Sequence, residues 1–136
     1  MNKLDEQELK RKTAETAQQY FEGYPWDRPY DLWRSFDKDL ARELSLFITG
    51  QMYARGRLPH PTRQLVAISA LTALGREDEL RLHIWAGLNV GLSREDIAEA
   101  IFQVGIYSGM PLVNGALKVL EQVLEARATG VETSEG

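Results

Sequence analysis

The chain has 136 residues, of which 43% are hydrophobic and 26% charged, a composition typical of one ordinary globular domain. It contains no cysteine, which excludes disulfides, thiolate metal sites and thiol redox chemistry. Twenty acidic residues outweigh sixteen Lys and Arg residues to give a net charge of −4, and no basic run indicates a nucleic-acid partner.

Two helices are predicted in the first part of the chain. A polar helix over 5–21 ends at a segment with two prolines, so we interpret residues 1–35 as an N-terminal arm. Apolar residues then recur at steps of three and four over 36–55, the spacing of one buried helical face. The polar N-terminus lacks the apolar core of a signal peptide, and no apolar stretch is long enough to cross a bilayer. We therefore predict a cytoplasmic protein with no membrane partner.

The next two predicted helices follow a proline-rich turn. Thr62 can cap a third helix, and eight of the ten residues over 65–74 are apolar, as expected for a central helix surrounded by protein. Gly75 provides its stop. A fourth helix begins with the acidic residues of 76–79 and ends near Asn89.

The last two predicted helices complete an all-α domain of about six helices over 1–128. Ser93 and Asp96 have the spacing of a capping box, which starts a fifth helix that reaches 108. A sixth helix covers 112–126, and the small polar residues of 129–136 predict a disordered tail. The fourth and fifth helices should form an antiparallel hairpin that is apolar around most of its circumference. A monomer cannot cover so many apolar faces, so we predict a homo-oligomer.

A titratable pair lies on the fourth predicted helix. Glu79 and His83 share one face with the small residues Ala86, Gly87 and Val90, which would leave room for a ligand beside the imidazole. A carboxylate one turn away could raise the pKa of the histidine or fix its tautomer. The alternative is a half-buried histidine with an ordinary acidic neighbour.

Three more residues are candidates for ligand binding. Gln103 and Tyr107 continue a polar stripe from Glu99 on the apolar fifth helix, which is either a solvated edge or the polar wall of a cavity. The planar guanidinium of Arg63 suits a carboxylate ligand, although an ion pair to an acidic neighbour fits equally well.

The sequence offers little for a metal or a bound cofactor. Its two histidines, His60 and His83, belong to no spacing that supplies three or four metal ligands. It has neither a G-x-S-x-G nucleophile elbow nor a glycine-rich phosphate loop. We therefore expect no metal and no organic cofactor.

Several of these segments together form an ordered set of motifs. They are Thr62-Arg63-Gln64-Leu65-Val66, the run ELRLH that ends at His83, an Asn-x-Gly-x-Ser turn that begins at Asn89, and Gln-x3-Tyr-x-Gly-x-Pro that begins at Gln103. Over residues 36–124 the chain resembles the carboxymuconolactone decarboxylase family. The resemblance implies an all-helical fold shared with alkyl hydroperoxidase D, assembled as a trimer or a hexamer.

The resemblance also separates two branches of chemistry. The peroxidase branch carries a Cys-x-x-Cys pair just before the histidine that matches His83, and Arg76 and Glu79 occupy those two places here. Thiol peroxidase activity is therefore excluded. The carboxylate that follows the arginine in the peroxidase branch corresponds to Gln64, so a proton relay through that position is not expected.

For the decarboxylase branch, the resemblance implies conversion of 4-carboxymuconolactone to 3-oxoadipate enol-lactone in aromatic catabolism. His83 would donate a proton and Glu79 would orient it. Gln103 and Tyr107 would stabilise the developing oxyanion, while Arg63 would bind a substrate carboxylate.

One segment departs from the family pattern. Many decarboxylases of the family carry two tryptophans where residues 48–56 have none. Two other interpretations therefore stay open: an enzyme for a different small carboxylated or lactone substrate, and a non-catalytic oligomeric binding protein.

Overall fold

Helices make up the regular structure of the described chain. The computed structural model describes the backbone of residues 5–135 and the side chains of residues 5–130. Within that part, seven α-helices and one π-helix follow one another: α1 (Glu6–Phe21), α2 (Pro29–Phe36), α3 (Lys38–Ser45), the π-helix (Leu46–Tyr53), α4 (His60–Leu74), α5 (Glu77–Asn89), α6 (Arg94–Ser108) and α7 (Met110–Glu135). The predicted all-α class is confirmed, with seven helices rather than about six.

The predicted helix over 36–55 is confirmed in part: the chain is helical from Lys38 to Tyr53 without a break, but as α3 followed by the π-helix, and Phe36 ends α2 instead. Pro29 stands in the first turn of α2, where its missing N–H costs no hydrogen bond. Asp37 ends α2, and its carboxylate accepts a hydrogen bond from the Leu40 backbone N–H at 3.0 Å to begin α3. From residue 46 the chain continues as a π-helix, a form that occurs mostly as short segments, frequently at functional sites.

Helix α1 packs against the rest of the fold through one narrow face. Thr13, Thr16 and Tyr20 are its buried residues, at steps of three and four. The face packs on the π-helix and on α5. Gly50 of the π-helix makes the close approach possible, since a Cβ there would overlap the Thr13 hydroxyl. The predicted arm therefore lies directly against the elements that carry His83 and Tyr53.

Helices α4 to α7 enclose the main hydrophobic core. Its fully buried side chains come from all four helices, including Ile68, Ile84, Ile101 and Val113. Local signals set two boundaries as the sequence predicted, but the predicted Thr62 cap is wrong: α4 begins at His60 with Pro59 as its N-cap, and Thr62 lies inside the first turn. Gly75 ends α4 with a positive φ of 70°, and the Ser93 capping box is present with both of its hydrogen bonds.

Helix α4 is central, as predicted, since it packs on α5, α6 and α7, but these helices do not surround it completely within one chain. Val66 and Leu74 are 60% and 70% exposed, because α5, α6 and α7 cover only part of the helix. On α6, Ile106 and Tyr107 are 78% and 80% exposed. The α5–α6 hairpin is held together mainly through shared contacts with α4 and α7. These faces leave a large apolar surface uncovered in the single chain.

The C-terminal helix is longer than the predicted 112–126. Helix α7 begins at Met110 and its backbone continues to Glu135. Gly136 and the side chains from residue 131 onward lie outside the described residues, so the tail over 129–136 stays a prediction. None of the helices described here is long and apolar enough to cross a membrane.

Candidate functional site

The imidazole of His83 is held by a buried amide. Its Nδ1 lies 2.8 Å from Oε1 of Gln64, a residue that is fully buried on α4. Because an amide oxygen only accepts, Nδ1 carries the hydrogen and donates it. Nε2 has no hydrogen-bond partner among the described residues, so this atom is available to a ligand. Gln64 therefore fixes both the orientation and the tautomer of the ring.

Burial keeps the His83 imidazole neutral. It lowers the pKa of His83 to about 4, and the nearby carboxylate of Glu79 opposes that shift only in part. The ring of Tyr53 stacks on the imidazole, with centroids 6.0 Å apart and planes 25° from parallel. At neutral pH His83 is thus an unprotonated group covered on one face by an aromatic ring.

A second histidine–tyrosine pair adjoins this site. The Tyr20 hydroxyl donates a hydrogen bond to Nδ1 of His60, and the edge of the Tyr20 ring packs on Tyr53. Burial raises the pKa of Tyr20 to about 12 and lowers that of His60, so the phenol keeps the proton and the imidazole accepts. Tyr53 also has a raised pKa because of burial. Helix α1 thereby supplies a protonated phenol to the wall behind His83.

His83, Tyr53 and Tyr20 line one cavity of about 1000 Å³. The far wall comes from the segment between α1 and the end of α2, which contributes the aromatic residues Tyr30 and Trp33. Such a space accepts a small organic ligand with the imidazole on one side and aromatic rings around it.

Two of the predicted site residues lie at or near this cavity. Glu79 lines it beside His83 without a hydrogen bond to the ring, and its nearest cation is Arg76 at 3.6 Å. Arg63 donates to the backbone oxygen of Arg55 at 2.7 Å, and its buried Nε has no partner among the described residues. The structure thus gives Gln64, rather than Glu79, the direct contact that orients His83.

Gln103 and Tyr107 lie elsewhere on the single chain. Both are exposed on α6, and neither lines the cavity. A contribution from either side chain to a site around His83 would therefore have to come across a subunit interface.

The small residues expected beside His83 pack against protein instead of a ligand. Ala86 is fully buried, and a Cβ on Gly87 would lie 2.9 Å from Cδ1 of Leu92 and 3.4 Å from Cδ1 of Ile68. The expectation of ligand space over these residues is wrong. Gly87 permits close helix packing, and the open space lies on the side of His83 that Tyr53 and Tyr20 share.

Metal-ligating side chains do not gather at the site. Among the described residues, no group of three or more His, Cys, Asp or Glu side chains could hold an ion.

Comparison with known proteins relates this geometry to a family. The model of the carboxymuconolactone decarboxylase family matches residues 38–122. A 4-carboxymuconolactone decarboxylase of Acinetobacter baylyi is 40% identical over 90 residues, which cover 66% of this chain and 67% of the relative. The chain belongs to the carboxymuconolactone decarboxylase family. An uncharacterized 15.0 kDa protein of Paracoccus denitrificans, from the nqo9-nqo10 intergenic region, is 34% identical over 54% of this chain and 57% of its own length.

Family membership supports an enzymatic activity. The residues that line the cavity lie partly inside and partly outside the range that the family model matches. His83, Gln64 and Tyr53 lie within the matched residues, whereas Tyr20 and the whole far wall precede residue 38. The carboxymuconolactone decarboxylase match therefore accounts for the imidazole and its support. More than half of the residues that would touch a ligand come from outside it.

Sequence reasoning missed Gln64, Tyr53 and Tyr20 as site residues. One signal was available for Tyr20, because it falls on a narrow stripe with Thr13 and Thr16 in an otherwise polar helix. Gln64 lies in a buried row with Ile68 and Thr72, and the Thr72 hydroxyl is satisfied by the Ile68 backbone oxygen within the same helix. A buried amide in such a row requires a polar partner, and His83 is that partner.

Proposed function

We propose that the chain is a decarboxylase for a small carboxylated lactone of the 4-carboxymuconolactone type, working in aromatic catabolism without a metal or organic cofactor. The observation that carries the proposal is the His83 imidazole, which lines a cavity with Nδ1 bound to Gln64 and with Nε2 unpartnered among the described residues. The relative named 4-carboxymuconolactone decarboxylase, 40% identical over 90 residues, supports the reaction type.

The reaction places three demands on the site. Loss of CO2 breaks the bond between the ring carbon and the carboxylate carbon, and the electron pair delocalises through the ring alkene into the lactone carbonyl. The site must stabilise the resulting oxyanion, limit the access of water and deliver a proton to a ring carbon. Aromatic rings around the cavity limit the access of water. Stabilising the oxyanion also requires hydrogen-bond donors that face it.

His83 can deliver the proton only after it has acquired one. With a pKa of about 4, the imidazole is neutral in the ligand-free chain at pH 7. A bound carboxylate and the oxyanion that follows it both raise the pKa of a nearby imidazole. Nε2 therefore takes up a proton when the anionic ligand is present and gives it to the carbanion, which leaves the free enzyme neutral again.

The other predicted roles depend on assembly. We propose a homo-oligomer, a trimer or hexamer, in which the exposed apolar faces of α4 and α6 are covered by other copies. Gln103 and Tyr107 lie on α6 and would act as oxyanion donors only if a partner subunit brings them to the cavity. The buried Nε of Arg63 has no hydrogen-bond partner in the described part of the chain, which supports a role in holding an anion.

A different small lactone is the second candidate substrate. The segment 48–56 lacks the two family tryptophans, and the cavity wall beside His83 is the phenol of Tyr53 instead. A pocket with an added hydroxyl selects ligands that can pair with it. A non-catalytic binding protein is the third candidate and would use the same cavity.

Turnover separates these candidates. We would incubate the protein with 4-carboxymuconolactone and a panel of carboxylated lactones while following CO2 release and ring absorbance. Binding without CO2 release from any of them would reject the decarboxylase proposal and favour a binding protein.

Variants of His83 test the residue that carries the proposal. His83→Ala and His83→Gln should each lower turnover by about 10²-fold or more, because an amide cannot exchange a proton near neutral pH. His60→Gln is the comparison variant: His60 does not line the cavity but accepts a hydrogen bond from Tyr20, so the variant measures how far turnover depends on that neighbouring pair rather than on a proton from His83. A fully active His83→Gln enzyme would remove the acid–base assignment.

A further inference from the structure

The segment that precedes the family match contains an arginine that lines the cavity and has no ion-pair partner among the described residues. Arg28 and Arg81 are the arginines that line the cavity among the described residues. Arg81 is already engaged: it lies 3.2 Å from the carboxylate of Asp78 and donates to Gln122 at 3.0 Å. Arg28 has no carboxylate within ion-pair distance among the described residues. Its guanidinium is therefore the cavity cation with unused charge.

Two aromatic rings hold the guanidinium of Arg28. Its central carbon lies 5.0 Å from the ring centroid of Phe21 and 5.8 Å from that of Tyr30. Such contacts restrain the flat group through its faces while leaving the N–H donors at its edge unused. A carboxylate is the ligand group that pairs with that edge through two parallel hydrogen bonds.

The backbone also fixes the place of Arg28. Its N–H donates to the carboxylate of Asp31 at 3.2 Å, at the start of α2. This bond ties up the Asp31 carboxylate at the backbone and sets the point from which the Arg28 side chain leaves the chain. The guanidinium is thus positioned before any ligand arrives, which lowers the entropy lost on binding.

We infer that Arg28 binds the carboxylate of the ligand, and that the segment 24–35 ahead of the family match selects carboxylated ring compounds for this cavity. The inference rests on the proposed function and adds a binding residue that lies outside the matched residues 38–122. Arg63, which does not line the cavity, is not the first contact of the ligand in this arrangement.

Acidic neighbours make that contact specific. Asp27, Asp31, Asp78 and Glu79 line the same cavity. Asp78 and Glu79 are paired with Arg81 and Arg76, whereas Asp27 and Asp31 have no ion-pair partner among the described residues and repel a ligand carboxylate that lies near them and away from the guanidinium. Arg28 therefore determines where the charged end of the ligand sits as well as how tightly it binds.

Binding of an unreactive ligand tests the inference apart from catalysis. The probe is a saturated carboxylated lactone, which lacks the ring alkene and so cannot delocalise the electron pair of decarboxylation. Its methyl ester serves as the uncharged comparison. Calorimetry on the full-length chain would measure the Kd of both compounds for the wild type and for each variant.

Arg28→Gln should weaken binding of the acid by about 10- to 100-fold, the range for a lost hydrogen bond between charged groups, and should leave binding of the ester almost unchanged. Arg28→Lys keeps the charge but loses the edge with two parallel donors, so its Kd for the acid should lie between those of the wild type and of Arg28→Gln. Arg34→Gln is the matched control. Arg34 also stacks on Tyr30, with its guanidinium carbon 5.8 Å from the centroid, but does not line the cavity, and the variant should bind both compounds as the wild type does.

Three results would overturn the inference: no binding of the acid to the wild type, wild-type affinity in Arg28→Gln, or an equal loss for acid and ester. If Arg28→Gln fails to fold, as judged by circular dichroism, Arg28→Lys decides by the same comparison. Binding that depends on Arg28 without any CO2 release from reactive lactones would sustain this inference while rejecting the decarboxylase proposal.

Discussion

Acid should destabilise this fold partly through one imidazole. The pKa of His83 is about 4 in the folded chain, against about 6.5 when the group is free. The folded chain therefore binds fewer protons than the unfolded chain between these two values. The free energy of unfolding that His83 contributes is fully present above pH 6.5 and is lost as the pH falls toward 4. A difference of about 2.5 pKa units at about 1.36 kcal/mol each corresponds to about 3 kcal/mol.

A matched pair of proteins isolates this contribution. Urea unfolding of the wild type and of His83→Gln, at one protein concentration and from about pH 7 to about pH 4, gives the free energy of unfolding of each. Groups away from His83, His60 among them, titrate in both proteins and cancel in the difference, whereas the effect of the Glu79 carboxylate on His83 remains in it as part of the His83 contribution. The stability of the wild type relative to the variant should fall by about 3 kcal/mol over this range. A difference that stays constant with pH would show that His83 is not buried in its neutral form.

Two further predictions concern packing and assembly. Gly50→Ala should lower the free energy of unfolding by about 1–3 kcal/mol in a thermal melt, because its Cβ would overlap the Thr13 hydroxyl and lie 3.0 Å from Cδ1 of Leu9. Gly56→Ala is the control and should change the same melt little, since open space surrounds Gly56. Light scattering should find an oligomer that Ile106→Glu dissociates, since this side chain is 78% exposed in the single chain, and a monodisperse wild-type monomer would contradict the proposed assembly.

Boundaries set by neighbouring residues could be predicted from the sequence. The Ser93 capping box and the positive φ of Gly75 depend on groups within a few residues, and both were found where expected. Helix α2 was missed because Pro29 was taken as a break in the chain, whereas it starts α2. The helix predicted from Phe36 covers α3 and the π-helix, but the Asp37 cap that separates Phe36 from α3 was not recognised.

The site was harder to predict because its parts are distant in the chain. Glu79 and His83 lie one turn apart, so their shared face follows from helical spacing. Gln64 lies 19 residues before His83, and its contact depends on how α4 packs against α5. Periodicity places a residue on a face, but it does not say which other helix covers that face. For this reason the polar stripe with Gln103 could be recognised and its distance from the cavity could not.

The N-terminal segment is joined to the family core by hydrogen bonds to main-chain oxygens. Trp85 donates to the backbone oxygen of Glu22 at 2.9 Å, and the amide of Asn89 donates to the backbone oxygen of Tyr20 at 2.8 Å. Arg127 donates to the Asn89 oxygen at 3.0 Å and so holds that amide in place. These bonds bind main-chain oxygens at the end of α1, which every residue type provides. The side chains of 30–35 can therefore change the far wall of the cavity without removing these contacts. Tyr24 and Trp26 cannot, because their rings pack on Trp85 of α5.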